Sequence, residues 1–325
     1  MELSVVIPCY NESEVLPMLK ARLVKVLENI ASEWEVILID DGSKDGTPNC
    51  IAAMHREDPR FKAIFFSRNF GHQTAISAGL AHATGEAVAI MDADLQDPPE
   101  LFKSCLEKLH EGYDVVYAVR RKRKETFVKR ICYALFYRVM QALAEMDVPL
   151  DTGDFCVMRA HVVRVLTNMP ERHVFVRGLR AWAGFRQTGL EYERNARAAG
   201  KPKYSFWKLA KLAANGLFGF SILPLRVAIY VGFGGLACSI VAGMFILAWR
   251  IFGFRFMGHR AVELPGWTAA VGGMLFLAAI QFLILGFMGE YIGRIYTEVK
   301  QRPRWVIRET LGLRATEASE LHASL

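Results

Sequence analysis

The chain has 325 residues, a formal net charge of +7 and a 52% apolar share, enough for one mid-sized globular domain and a further apolar part. Its six cysteines (Cys9, Cys50, Cys105, Cys132, Cys156, Cys238) are scattered with no C-x-x-C, which argues against a disulfide framework or a zinc site and reads as reduced core residues. The basic clusters lie mostly near the apolar C-terminal half, which suits an anionic lipid surface or a phosphate ligand better than nucleic acid, for which no motif is present.

The N-terminus opens on a strand-like Leu3 to Ile7 with no basic n-region and no long apolar h-region, so no signal peptide is expected. Pro8 closes that strand, and the polar turn from Asn11 to Glu14 is expected to cap a helix reaching about Ile30. Glu35 to Ile39 reads as a second strand ending in D-D-G-S-K-D-G-T, a tight turn into another helix. Ala63 to Phe66 is a third strand, followed by R-N-F-G-H-Q-T-A, a turn and then a helix.

The apolar run from Ala87 to Met91 reads as a fourth, buried strand that stops at Asp92, Asp94 and Asp97, with Gln96 between them. Alternation in an extended chain puts Asp92, Asp94 and Gln96 on one side, where three oxygens can converge on a hard cation, Mg2+ or Mn2+. Such a cation keeps few protein carboxylates and takes its other ligands from substrate phosphates and water. A solvated acidic turn is the competing reading. Strands alternating with helices at this spacing predict a parallel, doubly wound sheet whose ligands bind beyond the strands' carboxyl ends, where Pro8, Asp41, Asn69 and Asp92 fall. Neither G-x-G-x-x-G after the first strand nor a G-x-x-x-x-G-K-[ST] is present, so dinucleotide dehydrogenases and P-loop enzymes are not supported.

Next, D-V-V-Y-A-V runs into the basic cluster Arg120, Arg121, Arg123, Lys129 and Arg130. That cluster could bind a phosphate or form a lipid-facing surface. Phe127 to Leu143 and Ser205 to Phe220 have the mixed apolar and basic spacing of interfacial amphipathic helices. Val227 to Trp249 and Trp267 to Gly289 contain no charged residue, and each is long enough to cross roughly 30 Å of hydrocarbon as a helix. The lysines and arginines flanking the two stretches outnumber those between them, which places both termini in the cytoplasm. Gln301-Arg302-Pro303-Arg304-Trp305 spells the Q-x-x-R-W of processive polysaccharide synthases. It follows the last apolar stretch and contains a proline, so it reads as coincidence, and the polar tail from Glu309 to Leu325 is expected to be poorly ordered.

Taken together, P-C-Y-N-E, D-D-G-S-K-D-G-T, D-A-D-L-Q-D-P-P-E, T-G-D-F and the two apolar stretches resemble the family 2 glycosyltransferases that load sugars onto polyprenyl phosphate, the dolichol-phosphate mannose synthase and bacterial undecaprenyl-phosphate glucosyltransferase type. The resemblance implies a Rossmann-like GT-A nucleotide-sugar-binding domain with interfacial amphipathic helices and two C-terminal transmembrane helices. It implies that Pro8, Glu12, Asp41 and Asn69 bind the nucleotide, that Asp92, Asp94 and Gln96 bind Mg2+ or Mn2+, and that Asp154 positions or deprotonates the acceptor. Arg120, Arg123, Arg130, Arg177, Arg194, Arg197 and Lys203 match basic positions for the acceptor phosphate or lipid; Pro202 and His72 depart from the family's usual serine and lysine.

The implied layout is a cytoplasmic catalytic domain over 1–204, an interfacial helix over 205–224, membrane helices over 225–252 and 267–290 joined by an extracytoplasmic loop at 253–266, and a cytoplasmic tail over 291–325. The implied reaction is inverting, metal-dependent transfer of one hexose from a nucleotide-diphosphate sugar, UDP-glucose by resemblance, to polyprenyl phosphate at the inner membrane. A separate flippase would have to move the product, and a homo-oligomer stays open. The alternatives are a processive polysaccharide synthase, which two spans disfavour unless the chain oligomerises, and a non-catalytic nucleotide-sugar-binding scaffold.

Overall fold

The structure, a computed structural model, describes residues 1–120, 152–171, 175–192, 223–252 and 266–313. These fall into two units, one formed by the N-terminal two-thirds together with the segment from Arg302 onward, the other by the stretch 205–301.

The first unit is built on one mixed sheet. Its strands are β1 (Leu3–Cys9), β2 (Trp34–Asp40), β3 (Phe61–Phe66), β4 (Ala87–Ile90), β5 (Val115–Arg120), β6 (Thr152–Arg159), β7 (Gln187–Tyr192) and β8 (Ile307–Leu311). They are arranged in the order β7-β5-β6-β4-β1-β2-β3-β8. The expectation of a parallel sheet holds for β1 with β2 and β4, for β2 with β3 and for β5 with β7. It is corrected at β6, antiparallel to both β4 and β5, and at β8, antiparallel to β3. An apolar run reports burial on both faces and carries no sign of strand direction, so those reversals have no signature in the pattern.

Period-two alternation divides the core. Val5, Ile7, Val36 and Leu38 face α1 (Leu16–Leu27), α2 (Thr47–Glu57) and α4 (Leu101–His110). Val6, Ile37 and Ile39 face α3 (His72–His82), α5 (Ala160–Asn168) and α6 (Val176–Trp182). Helix α3 comes close to the sheet at Gly79, where any Cβ would overlap Val6 and Ile39. One charged group is carried inside: Glu35 is buried, paired with Lys62 at 2.5 Å and bonded by the Ser4 and Thr84 hydroxyls. Burial works to raise its pKa, but these partners prevail and hold it below the ordinary value.

The polar turn after β1 does not cap α1 as expected; the residue before the helix is Val15, with no side-chain cap. Its side chains and amides instead tie the β1–α1 turn to the β2–α2 turn. Asn11 N–H donates to Ser43 Oγ, Lys44 N–H to Asn11 Oδ1, Ser13 Oγ to Asp45 and Glu12 N–H to Thr47 Oγ1. Two loops at the carboxyl edge of the sheet are thereby made one body.

The start of the polar tail gives a second correction: residues 307–311 form strand β8, so Glu309 to Leu311 are ordered, while 314–325 lie outside the described residues. Trp305, Ile307 and Leu313 pack on one face's core and Leu311 on the other. Residues 307 and 311 are four apart and would share a face in a regular strand. The register shift between Phe65 and Phe66, where Ile307 and Glu309 oppose them, leaves Arg308 as an extra residue and switches the parity.

In the second unit, α7 (Leu223–Phe252) and α8 (Gly266–Val299) have 30 and 34 residues and expose large apolar side chains such as Phe233, Phe245, Phe276 and Phe282. Among the described residues one stretch, Phe276–Val299, is long and apolar enough to cross a membrane, lying toward the C-terminal side of the expected 267–290 span. The interfacial helices expected over Phe127 to Leu143 and Ser205 to Phe220 lie outside the described residues.

Candidate active site

The chain runs from β1 out through β2 and β3 and returns to β4 on the other side of β1, so the sheet's switch point lies between β1 and β4. Ligands bind outside the carboxyl ends of strands at such a point. Two groups of residues are found at that edge.

The first surrounds an open cavity of about 460 Å3, whose lining includes Tyr10, Ser43, Lys44, Arg68, Asn69 and Arg308. Gly42 makes this architecture possible: its φ is +65°, and a Cβ there would stand 2.6 Å from the Asn69 nitrogen. Asp41, beside it, is buried and accepts from the Phe70 N–H at 2.7 Å and the Gly71 N–H at 3.0 Å, while Asn69 Nδ2 donates to the Asp41 carbonyl at 3.1 Å. Burial raises the Asp41 pKa, and the two amides partly offset it. Its carboxylate therefore builds the 69–71 turn, and it is Asn69 that lines the cavity.

The second group follows β4. The backbone leaves the strand at Ile90 and turns, with Leu95 at φ +57° and Asp94 Oδ1 accepting from the Gln96 N–H at 3.2 Å. The premise of an extended chain is thus corrected, yet burial still alternates, with Asp92, Asp94 and Gln96 half-buried between buried neighbours. Asp92 Oδ1 and Gln96 Oε1 are both buried without a hydrogen-bond partner. Gln96 Oε1 and Asp92 Oδ1, the latter with His72 Nε2 at 3.5 Å but no hydrogen bond, each lie two positions from Asp94 and fit a hard cation, for which an acceptor without a hydrogen bond is an asset rather than a cost. Among the described residues no three His, Cys, Asp or Glu side chains converge as a complete metal site; a site of two carboxylates and one amide would depend on substrate oxygens to complete it.

A chain of ionic contacts leads from Asp92 to Asp154. His72 Nε2 lies 3.5 Å from Asp92 Oδ1 and 3.2 Å from Asp154 Oδ2. Gln73 Nε2 donates to Asp154 Oδ2 at 3.1 Å, and Arg177 Nε donates to Oδ1 at 2.6 Å. Gln73 also accepts the Val176 N–H at 3.0 Å through its Oε1, so α3 and α6 are locked together at their N-terminal ends. Desolvation, with Asp154, Asp94 and Asp97 nearby, pushes the Asp92 pKa up to about 6, against the pull of His72. Burial opposes a charged imidazole at His72, but the two carboxylates raise its pKa. Burial likewise opposes ionisation of Asp154, and His72 and Arg177 overcome it, holding that acid far below the usual carboxylate range. An acid so held is a poor proton acceptor.

Of the other residues singled out by sequence, Pro8 is buried inside β1 opposite Ile39, and Glu12 forms the turn into α1, its carbonyl accepting from Val15 and Leu16. Arg120 ends β5 beside Tyr192; Arg123, Arg130, Arg194, Arg197 and Lys203 lie outside the described residues. The structure brings Asp92, Asp154 and Arg177 into one cluster and Asn69 to the neighbouring cavity. It adds three residues with no assigned part: Gln73, Arg308, and His72, noted in the sequence only as a departure from lysine.

A model of glycosyl transferase family 2 matches residues 4–167. An uncharacterized glycosyltransferase of Synechocystis, sll0501, is 42% identical over 314 residues, covering 96% of this chain and 96% of its own. The SfII prophage-derived bactoprenol glucosyl transferase of Shigella flexneri is 37% identical over 311 residues, 95% of this chain and 98% of its own. Among solved structures, the mannosyltransferase PcManGT of Pyrobaculum calidifontis, in complex with GDP-Man and Mn2+, aligns over 90% of this chain and 87% of its own at 18% identity with a TM-score of 0.46. The chain belongs to glycosyl transferase family 2. It is a glycosyltransferase whose first unit is a Rossmann-like GT-A domain on a mixed sheet.

Proposed function

We propose that the protein transfers a single glucose from UDP-glucose to a polyprenyl phosphate, with inversion at the anomeric carbon, giving a polyprenyl-monophosphate sugar. The end-to-end likeness to the bactoprenol glucosyl transferase supports the acceptor and the sugar. The observation that supports the reading is the single cluster linking Asp92 to Asp154 through His72, the two acids that we assign to the donor side and the acceptor side.

Asp92, Asp94 and Gln96 would hold a divalent cation, and Mg2+ or Mn2+, when bound, neutralises the donor diphosphate and the charge that grows on it as it leaves. The acceptor needs no deprotonation: a phosphate monoester has its second pKa near about 6 and is mostly dianionic at neutral pH. Its oxygen forms the new bond to the anomeric carbon as the bond to the nucleoside diphosphate breaks, and the electron pair departs with that diphosphate. Asp154 therefore acts by position. It orients Arg177, a cation placed to meet the acceptor phosphate, and holds His72 against Asp92; Arg120, Arg123, Arg130, Arg194, Arg197 and Lys203 are assigned to the same phosphate and the surrounding lipid. Fixed placement and charge complementarity supply the rate.

The stretch Phe276–Val299 supports membrane association. We assign two spans, over 225–252 and 267–290, with the catalytic domain on the cytoplasmic side of the inner membrane, so that a separate flippase is required for the product.

The test is a label-transfer assay with the full chain in detergent, undecaprenyl phosphate and Mg2+ or Mn2+, offered UDP-glucose, UDP-N-acetylglucosamine and GDP-mannose in turn. Label moving to the organic phase from UDP-glucose alone, abolished by chelation and by Asp94→Asn, is the expected result. Transfer from another donor renames the sugar; no transfer with donor binding intact leaves a nucleotide-sugar-binding scaffold; more than one sugar per lipid would make the enzyme processive.

A further inference from the structure

We propose that Arg308, delivered by the C-terminal strand β8, contacts the nucleoside end of the donor, so that the donor pocket is built from both ends of the chain. The inference rests on reading the cavity at the ends of β1, β2 and β3 as the donor site.

Three observations converge on Arg308. It lines the cavity opposite loops that follow β1, β2 and β3, although it lies more than two hundred residues after them in sequence. It is the extra residue of the bulge in β8, flanked by Ile307 opposite Phe66 and Glu309 opposite Phe65. A bulge re-aims a side chain at the cost of a regular ladder, and bulges cluster beside functional sites. Finally, the strand that carries it is anchored on both sides of the bulge. Ser67 N–H donates to the Val306 carbonyl at 3.0 Å, Arg304 donates to the Met169 carbonyl, and Leu311 pairs with Ala63. The guanidinium lies 5.9 Å from the Phe65 ring.

The strand order separates the two ends of a donor. The candidate cation ligands follow β4, whereas β8 is four strand positions away, about 19 Å at the usual spacing. A diphosphate held at the acidic turn therefore leaves the base and ribose to occupy the cavity between Tyr10 and Arg308. A guanidinium has only donors to offer, and each carbonyl oxygen of a uracil ring, like the ribose hydroxyl oxygens, is an acceptor that one of its N–H groups can meet.

The measurement is equilibrium binding of UDP and of UMP to the full chain in detergent, for wild type, Arg308→Ala, Arg308→Gln and Glu309→Gln. The expected result is that both Arg308 variants lose UDP and UMP by the same factor, on the order of tenfold, the worth of one hydrogen bond to a charged group. Glu309→Gln, one residue along the same strand, should bind as wild type. In transfer assays the loss should fall on the donor KM and leave kcat in place. Arg308→Gln keeps most of the stem that occupies the bulge and carries the test should Arg308→Ala unseat the strand. Unchanged binding in the Arg308 variants, or a loss confined to UDP, would overturn the inference while leaving the donor site standing. A wild-type protein that binds neither nucleotide would remove the donor-site reading and this inference with it.

Discussion

Asp154 shows how far its neighbours decide what a carboxylate can do. It is buried, with Arg177, His72 and Gln73 all donating to it or paired with it, and under the proposed mechanism it anchors cations rather than taking a proton. The cations that Asp154 holds, Arg177 and His72, are partly exposed, so water offsets some of its loss; Asp154→Ala should cost about 1–3 kcal/mol and melt below wild type. Asp154→Asn keeps the shape but cannot hold two cations. It should retain the fold and lose turnover by about a hundredfold or more, with acceptor KM rising, whereas loss of a true general base would leave acceptor KM unchanged. The pH dependence follows from the depressed folded-state pKa. Such a group contributes stability that is fully present above the unfolded value, about 3.9 for aspartate, and is lost as the pH falls below it. The gap in melting temperature between wild type and Asp154→Asn should therefore narrow as the pH falls below about 4.

At the scale of elements, the site depends on how closely α3 approaches the sheet. His72 and Gln73 open that helix, and both reach Asp154, 82 and 81 residues away in sequence. Seven residues on from His72, Gly79 sits where a methyl group would collide with Val6 and Ile39. Gly79→Ala should therefore cost about 1–3 kcal/mol by overpacking, measurable as a lower melting temperature, and should also slow transfer, since a helix pushed off the sheet carries His72 and Gln73 with it. A loss of stability with full activity would show that the α3 N-terminus is held by Asp154 rather than by packing. Much of this element-level design is legible in sequence: β1, β2, β3 and β4 carry the short apolar runs 5–7, 36–39, 63–66 and 87–91, each followed by turn-forming or acidic residues, although β1 continues through Pro8 to Cys9. What the pattern hides is where periodicity fails. The apolar residues Ile307 and Leu311 both have odd numbers and suggest one face, but the bulge at Arg308 sends them to two, so β8 reads as a polar tail. His72 is hidden for a different reason, as a lone histidine at a helix start means nothing until the fold places an acid on either side of it.

The whole molecule is an enzyme in which the chain completes its catalytic sheet only after its most apolar stretch. The sheet's β3 edge is covered by residues 307–311, and the core beside it by Trp305. An uncovered edge strand offers unpaired backbone groups to other chains. A chain ended after Gln301 should keep its apolar helices and its Asp92–His72–Asp154 cluster yet melt lower than the full chain, by at least roughly 2 kcal/mol if only a few ladder hydrogen bonds at about 0.5–1.5 kcal/mol each are lost. It should also associate through β3 in a concentration-dependent way, visible as larger particles by light scattering in the same detergent. A peptide spanning residues 302–313 added in excess should reverse both effects, because it can pair antiparallel with β3 and return Trp305, Ile307 and Leu311 to their cores. If the truncated chain melts as the full chain does and stays monodisperse, the strand is an ornament on an already complete sheet. A truncated chain rescued by the peptide would instead mean that the fold of the N-terminal unit is finished by a segment that follows the apolar helices in sequence, and that mutations in an apparently featureless stretch can disable a site whose acids all lie within the first 154 residues.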